Sequence, residues 1–390
     1  MLREFADAEE MVAELRPEVP VYCLRPALFR RAAGRFQDRF PGRVLYAVKA
    51  NPQAEVLDLL YAAGIRHFDT ASLGEIALVS GRFPEATCYF MHPVKGEAAI
   101  RDAYRAHGVR HFVVDHADEL DKMIRVLGGA PPDLAVMVRL ATPGEGALFD
   151  LSGKFGAGPG PAAALLRSVA DAGCQAGLCF HVGSQCTEPA AYRRAIELSG
   201  EVIAQAGVDL RWLDLGGGFP SAYETPVPAL EDFMGAIDEG LRRLGPPGDC
   251  VVMCEPGRAL VAEAVSVVAQ VQHRRGQALY LNDGIYGSLS GTKIGTIYPV
   301  RLLRPSGPAA AETAAFTVYG PTCDGLDVLG YPFVLPRDAR QGDWIEVGML
   351  GAYAYGLRTD FNGFRPERCV AVADDGPAAP AVEGGVEVPA

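Results

Sequence analysis

The sequence predicts an α/β protein in which a (β/α)8 barrel is followed by a C-terminal β domain, a β-sandwich or β-barrel that also takes in a strand from the N-terminus. Two observations carry that prediction. Short apolar runs alternate with helix-like segments from Arg43 to about Ala262, and such alternation builds parallel strands joined by helical crossovers. After Ala262 the helices cease and strand-like runs follow one another. Eight alternations over roughly 210 residues suit a closed barrel better than an open doubly wound sheet, because no Gly-x-Gly-x-x-Gly turn follows the first strand.

Residues 1–17 read as an amphipathic, partly loose leader, and Val19 to Leu24 as a short strand outside the main rhythm, giving an N-terminal segment (1–25) that joins the β domain. The barrel occupies 26–261. Its strands are expected at 44–48, 67–71, 87–91, 111–114, 134–140, 178–182, 212–215 and 251–254, with helices such as 54–63, 73–80, 118–127, 162–172, 190–206 and 230–244 between them. The β domain occupies 262–372, with strands at 264–271, 278–281, 316–319, 343–347 and 369–371. From 373 to 390, Ala, Gly, Pro and acidic residues without periodicity predict a disordered tail.

With 49% hydrophobic residues the chain has material for one large core and a smaller second one. A net charge of −12 excludes nucleic acid or an anionic membrane as the main partner. Nine scattered cysteines lack CxxC pairs and His/Cys clusters, so neither a metal site nor a disulfide framework is expected. No run approaches the ~20 apolar residues of a membrane span. The acidic N-terminal decapeptide lacks the features of a signal peptide, so a cytoplasmic enzyme acting on a small molecule is the expectation.

The chemistry centres on Val44-Leu45-Tyr46-Ala47-Val48-Lys49-Ala50-Asn51-Pro52. It places a lysine where a buried parallel strand stops, at the barrel end where catalytic groups collect. A desolvated amine there can form an imine with an aldehyde. Other polar groups close other apolar runs: Asp69 the second, Arg139 the fifth, His181 the sixth, Gly216-Gly217-Gly218 the seventh and Glu255-Pro256-Gly257-Arg258 the eighth. Singly, each has a plainer reading as a helix cap, a core histidine or a turn. Jointly they suit pyridoxal 5′-phosphate, whose aldehyde takes the lysine and whose phosphate takes the glycine loops after strands seven and eight. Glu255 is the natural partner of the pyridine nitrogen, His181 is placed to stack on the ring, and Ser184 is within reach of the phosphate.

The chain resembles the pyridoxal-phosphate-dependent ornithine/diaminopimelate/arginine decarboxylase family, of alanine-racemase-like fold, and within it the ornithine decarboxylases. The resemblance runs from about Val19 to Phe364. It rests on the motif around Lys49 together with Phe68-Asp69-Thr70-Ala71-Ser72, Lys154-Phe155-Gly156, His181-Val182-Gly183-Ser184, Gly216-Gly217-Gly218-Phe219-Pro220, Glu255-Pro256-Gly257-Arg258, Asn282-Asp283-Gly284-Ile285-Tyr286-Gly287, the segment from Gly320 to Asp327 and Gly351-Ala352-Tyr353. By resemblance, Lys49 carries the cofactor, Asp69 contacts it near that bond, and Ser184, Gly217, Gly218, Gly257, Arg258 and Tyr353 hold the phosphate. Cys323 resembles the cysteine that protonates the α-carbon after CO2 leaves, and Asp324 the acid that receives the substrate's distal amine. Tyr286 and Phe361 are expected beside the substrate. The family shares Cys323 and Asp324 across a two-fold interface, which implies a homodimer.

One departure bears on substrate. Ornithine decarboxylases carry a second acid shortly after the Asn282–Gly287 motif, whereas 288–296 here holds none, and Lys293 or Gly295 takes its place. A lysine there would repel a cationic side chain and attract an anion. Arg358 and Asp360 are also unusual, so an acidic or modified amino acid stands as the alternative substrate to ornithine or lysine, with a non-catalytic protein-binding homologue as a further one.

Overall fold

The computed structural model describes residues 2–144, 146–149, 153–366 and 368–377. Its centre is a closed barrel of eight parallel strands: Arg43–Ala47, His67–Thr70, Thr87–Phe90, His111–Val114, Ala135–Arg139, Gln175–Cys179, Trp212–Asp214 and Val251–Cys254. Val44, Leu45, Tyr46 and Ala47 are all buried, as expected of a strand covered on both faces. Closure comes from pairing of Met253 with Arg43 and Cys254 with Val44. Leu45, Tyr89, Met137 and Met253 form part of a separate apolar cluster.

The expected strands match within a residue or two except the sixth, which runs three residues earlier than predicted. Its register is set by pairing with Ala135–Arg139 and Trp212–Asp214. Gly177 breaks the apolar run yet belongs in the strand, because a Cβ there would lie 2.5 Å from Met137 and 2.9 Å from Trp212. His181 therefore sits two residues beyond the strand. Two crossover elements, Pro26–Arg39 and Glu97–Arg105, are helices that the pattern reading left out.

Nine further strands form a mixed sheet. Val21–Leu24 pairs antiparallel with Val265–Arg275 and parallel with Arg368–Val372, and Glu4–Phe5 pairs with the latter, so the barrel is inserted between the first two strands of this sheet and the rest. Strands Val300–Leu303 and Phe333–Pro336 were absent from the sequence reading. The leader is docked rather than loose: helix Ala8–Leu15 is capped by Asp7 and buries Met11 and Val12 completely. The start of the expected tail is also held. Buried Arg25 bonds Asp374 at 2.9 Å and Glu346 at 2.7 Å, and Arg301 bonds the same two acids. Most of that tail, 378–390, lies outside the described residues. No helix among the described residues is long and apolar enough to cross a membrane.

Candidate active site

The first barrel strand ends at Ala47, and Val48–Ala50 makes one 3-10 turn that lifts Lys49 onto the rim. Barrel register pairs Ala47 with Asp69, which brings the Asp69 carboxylate into an ion pair with the Lys49 amine. The lysine side chain is 41% exposed while that of Asp69 is 1% exposed, so the amine is reachable and its partner is fixed. Burial works to lower the ammonium's pKa, but the carboxylates of Asp69 and Glu255 override it and hold the group above the ordinary lysine value.

On the neighbouring side of the lysine strand, Glu255 follows the eighth strand and is buried. Its backbone N–H donates to Gly216 at 2.8 Å, tying it to the glycine loop after strand seven. Burial, then Asp214 and Asp69, push its carboxyl well above the usual range. His181 donates no charge to this cluster: burial, Arg139 and Lys49 lower its pKa to about 3, so the imidazole is neutral. Its Nδ1 accepts the Gly183 N–H at 3.0 Å, which fixes the ring. Arg139 ends the fifth strand with its guanidinium 5.7 Å from the Phe155 ring.

Arg258, Ser184, Tyr353 and the glycines, the residues expected at the phosphate, lie together on another side of the rim. Arg258 donates to the Tyr223 hydroxyl at 2.7 Å and to Ser184 Oγ at 3.2 Å, and lies 4.9 Å from the Tyr353 ring. Among the described residues it pairs with no carboxylate. Gly216 and Gly218 have φ of 67° and 108°, and a Cβ at Gly217 would come within 2.5 Å of the Glu255 carbonyl. At Gly257 a Cβ would meet the Ala50 and Ala47 side chains, so this glycine lets the eighth loop lie against the lysine turn. Tyr353 holds a φ of 60°, and its N–H donates to Ala50 at 2.8 Å.

A second patch gathers the remaining predicted residues. The Tyr286 hydroxyl donates to Asp324, and its ring lies 4.9 Å from Phe361. Cys323 is exposed, and its N–H donates to the Asn362 side chain at 3.1 Å. Asp327 staples the patch by accepting from the N–H groups of Ile285 and Thr322, each at 3.0 Å. A cleft of about 730 Å³ flanks Cys323 and Asp324. No described hydrogen bond or ring contact runs from Cys323 or Asp324 to Lys49, Asp69 or Glu255. Lys293 stands exposed on the turn Ser290–Ile294. Arg358 stacks on Tyr355 at 3.6 Å and donates to its carbonyl, and Asp360 pairs with Arg365.

Sequence reasoning passed over three residues of this site. Asp214, wholly buried, stands two residues before the glycine triplet and contacts Glu255. Tyr223 holds Arg258, and Asn51 bridges the lysine turn to Gly351. The signal for Asp214 was present, since it ends an apolar run as Asp69 does.

The residues fit pyridoxal 5′-phosphate on an observation independent of the motifs. Asp69 Oδ1, Glu255 Oε1 and Arg258 Nε are buried polar atoms without a partner; the first two flank the reachable Lys49 amine, and Arg258 joins them through Tyr353. Orphaned groups of both signs converging on one place mark a ligand site.

Comparison with known proteins agrees. Residues 27–262 match the family described as pyridoxal-dependent decarboxylase, pyridoxal binding domain. The lysine/ornithine decarboxylase of Selenomonas ruminantium is 36% identical over 377 residues, covering 93% of this chain and 92% of that one. The lysine/ornithine decarboxylase of Vibrio vulnificus, solved with putrescine, superposes with a TM-score of 0.80 at 33% identity, over 94% of this chain and 99% of the other. The arginine decarboxylase of Paramecium bursaria Chlorella virus, solved with agmatine, gives 0.83 at 27% identity, over 94% and 99%. The chain therefore belongs to the pyridoxal-dependent decarboxylase family, as an enzyme that uses pyridoxal 5′-phosphate to decarboxylate an amino acid.

Proposed function

We propose that the substrate is a basic L-amino acid, ornithine or lysine, that the products are CO2 and the corresponding diamine, such as putrescine, and that the enzyme works as a cytoplasmic homodimer. The observation that carries the substrate reading is Asp324. The Leu326 N–H and the Tyr286 hydroxyl hold its carboxyl below the usual range, so it is an anion at the edge of an open cleft. A fixed carboxylate there suits a distal ammonium. Among the described residues no contact joins exposed Lys293 to Arg358, whose guanidinium stacks on Tyr355, whereas Asp324 is an anion already oriented toward the cleft, which favours a cationic over an acidic side chain.

The dimer reading rests on the separation of Cys323 and Asp324 from Lys49. Around them Leu326, Leu357, Phe361 and Phe364 are all exposed, an apolar face that a second copy would cover.

Pyridoxal 5′-phosphate, when bound, supplies the electron sink for the pair released as the α-carboxylate leaves. Lys49 is the attachment point, and its Nζ must first give up a proton, for which Asp69 is the base in contact. Glu255 would be the partner of the ring nitrogen, and neutral His181 would offer its face to the ring without adding charge. Ser184, Gly217, Gly218, Gly257, Arg258 and Tyr353 take the phosphate, with Arg139 at the rim. Asp324, oriented by Tyr286 and backed by Phe361, holds the distal amine, and the Cys323 thiol returns a proton to the α-carbon. CO2 release measured over ornithine, lysine, arginine, diaminopimelate and glutamate, with Lys49→Ala as the inactive control, tests the reading. Turnover of ornithine or lysine is expected; turnover of glutamate alone would overturn it.

A further inference from the structure

We propose that Asp214 is a positioning residue that shares a single proton with Glu255, so that the pair presents one negative charge, not two, to the cofactor's ring nitrogen. The inference rests on the reading of Glu255 as the ring-nitrogen partner.

Asp214 is the last residue of the seventh barrel strand and has no exposed surface. Its strand stays zipped to the eighth past its own end, through Leu215 N–H to Met253 and Glu255 N–H to Gly216, at 2.9 and 2.8 Å. That register puts the two carboxyls in hydrogen-bonding contact. Asp214 Oδ1 accepts the Gly216 N–H at 2.9 Å. Its Oδ2 has no partner, and neither does Glu255 Oε1.

Two buried carboxyls in contact, each with an oxygen that has no donor, are satisfied together by one proton, and two ionised carboxyls side by side repel strongly in a dry site. The groups facing the pair offer no other relief. Lys49 is the nearby cation, and it is paired with Asp69. Cys179 and Cys254 stay neutral because burial pushes their thiols up, and Tyr89 is likewise a neutral phenol. Burial raises Asp214 itself to about 6 and raises Glu255 further. The Gly216 N–H on Oδ1 leaves Oδ2 as the aspartate atom free to hold the proton. A protonated ring nitrogen then meets one carboxylate anion that is hydrogen-bonded from behind, and no proton enters or leaves the pair.

Difference infrared spectroscopy of the cofactor-free protein tests this directly. At neutral pH the C=O stretch of a protonated carboxylic acid is expected in the wild type and is lost in both Asp214→Asn and Glu255→Gln. The asparagine keeps the acceptor for Gly216, so folding is preserved, and circular dichroism checks it. Titrating the wild type alone requires no variant: the band persists at pH 7 and disappears at higher pH. Absence of the band at pH 7, or its survival in Asp214→Asn, overturns the proposal. Failure of the underlying reading looks different, because Glu255→Gln would then leave the visible spectrum and affinity of bound pyridoxal 5′-phosphate unchanged while the infrared result stood.

Discussion

Replacing Asn51 by alanine should loosen the lysine turn from the loop that carries Tyr353. Asn51 is 1% exposed. Its Nδ2 donates to the Gly351 carbonyl at 2.9 Å and its Oδ1 accepts the Gln53 N–H at 3.0 Å. Alanine leaves both backbone groups buried without a partner, at about 1–3 kcal/mol each, so about 2–6 kcal/mol in all. The neighbouring bond from Tyr353 N–H to Ala50 survives chemically but loses its brace. At 1.4 kcal/mol per factor of ten, amides in 350–356 should exchange with deuterium at least roughly 30-fold faster, and up to about 20,000-fold at the upper end of that range, while strand Phe333–Pro336 keeps its protection. Because Tyr353 lies against Arg258, affinity for pyridoxal 5′-phosphate should fall in parallel. Exchange in 350–356 within about threefold of wild type, under roughly 0.7 kcal/mol, would refute the reasoning.

Three further outcomes are expected. His67 and His111 are both held at about 4, by burial first and then by Arg43, against an ordinary 6.5. The unfolded chain therefore binds more protons between those values, and stability that is complete above pH 6.5 is lost as pH falls toward 4, by up to roughly 3 kcal/mol for the more buried His111 and by less for half-buried His67, where solvent screens the effect. Urea midpoints measured against pH should show this, with a flatter profile in His111→Gln. Arg25→Ala should lower stability by about 3 kcal/mol, the low end for a broken buried pair, because Arg301 still holds Glu346; urea unfolding of the variant checks it. Co-expressed Lys49→Ala and Cys323→Ala chains should regain roughly a quarter of wild-type activity, since half of randomly paired dimers rebuild one site of two. No recovery in verified mixed dimers would place each site within one subunit.

The barrel was legible because strands buried on both faces leave apolar runs with polar punctuation at one end. Lys49, Asp69 and Glu255 stood out as polar residues at such ends, and barrel register does bring them together. What escaped the reading depended on pairing across the chain. Gly177 looked like a break until the side chains of Met137 and Trp212 required it. The glycine triplet drew notice away from Asp214, whose importance comes from contact with a residue on the next strand. Arg358 carried a charge that suggested a substrate contact, whereas a stack on Tyr355 decides its direction, and no spacing rule announces that.

The nine-stranded mixed sheet has an order of assembly written into its pairing. Val21–Leu24 leaves the ribosome early but finds its partners only at Val265–Val268 and Arg368–Ala371, after the whole barrel has been made. The barrel can close once Cys254 meets Val44, and Lys49 is then in place while Tyr353 is still unmade. A nascent chain thus holds half of a cofactor grip and one apolar strand awaiting its neighbours. Capture of pyridoxal 5′-phosphate during translation would be weak, and firm loading belongs to the released chain.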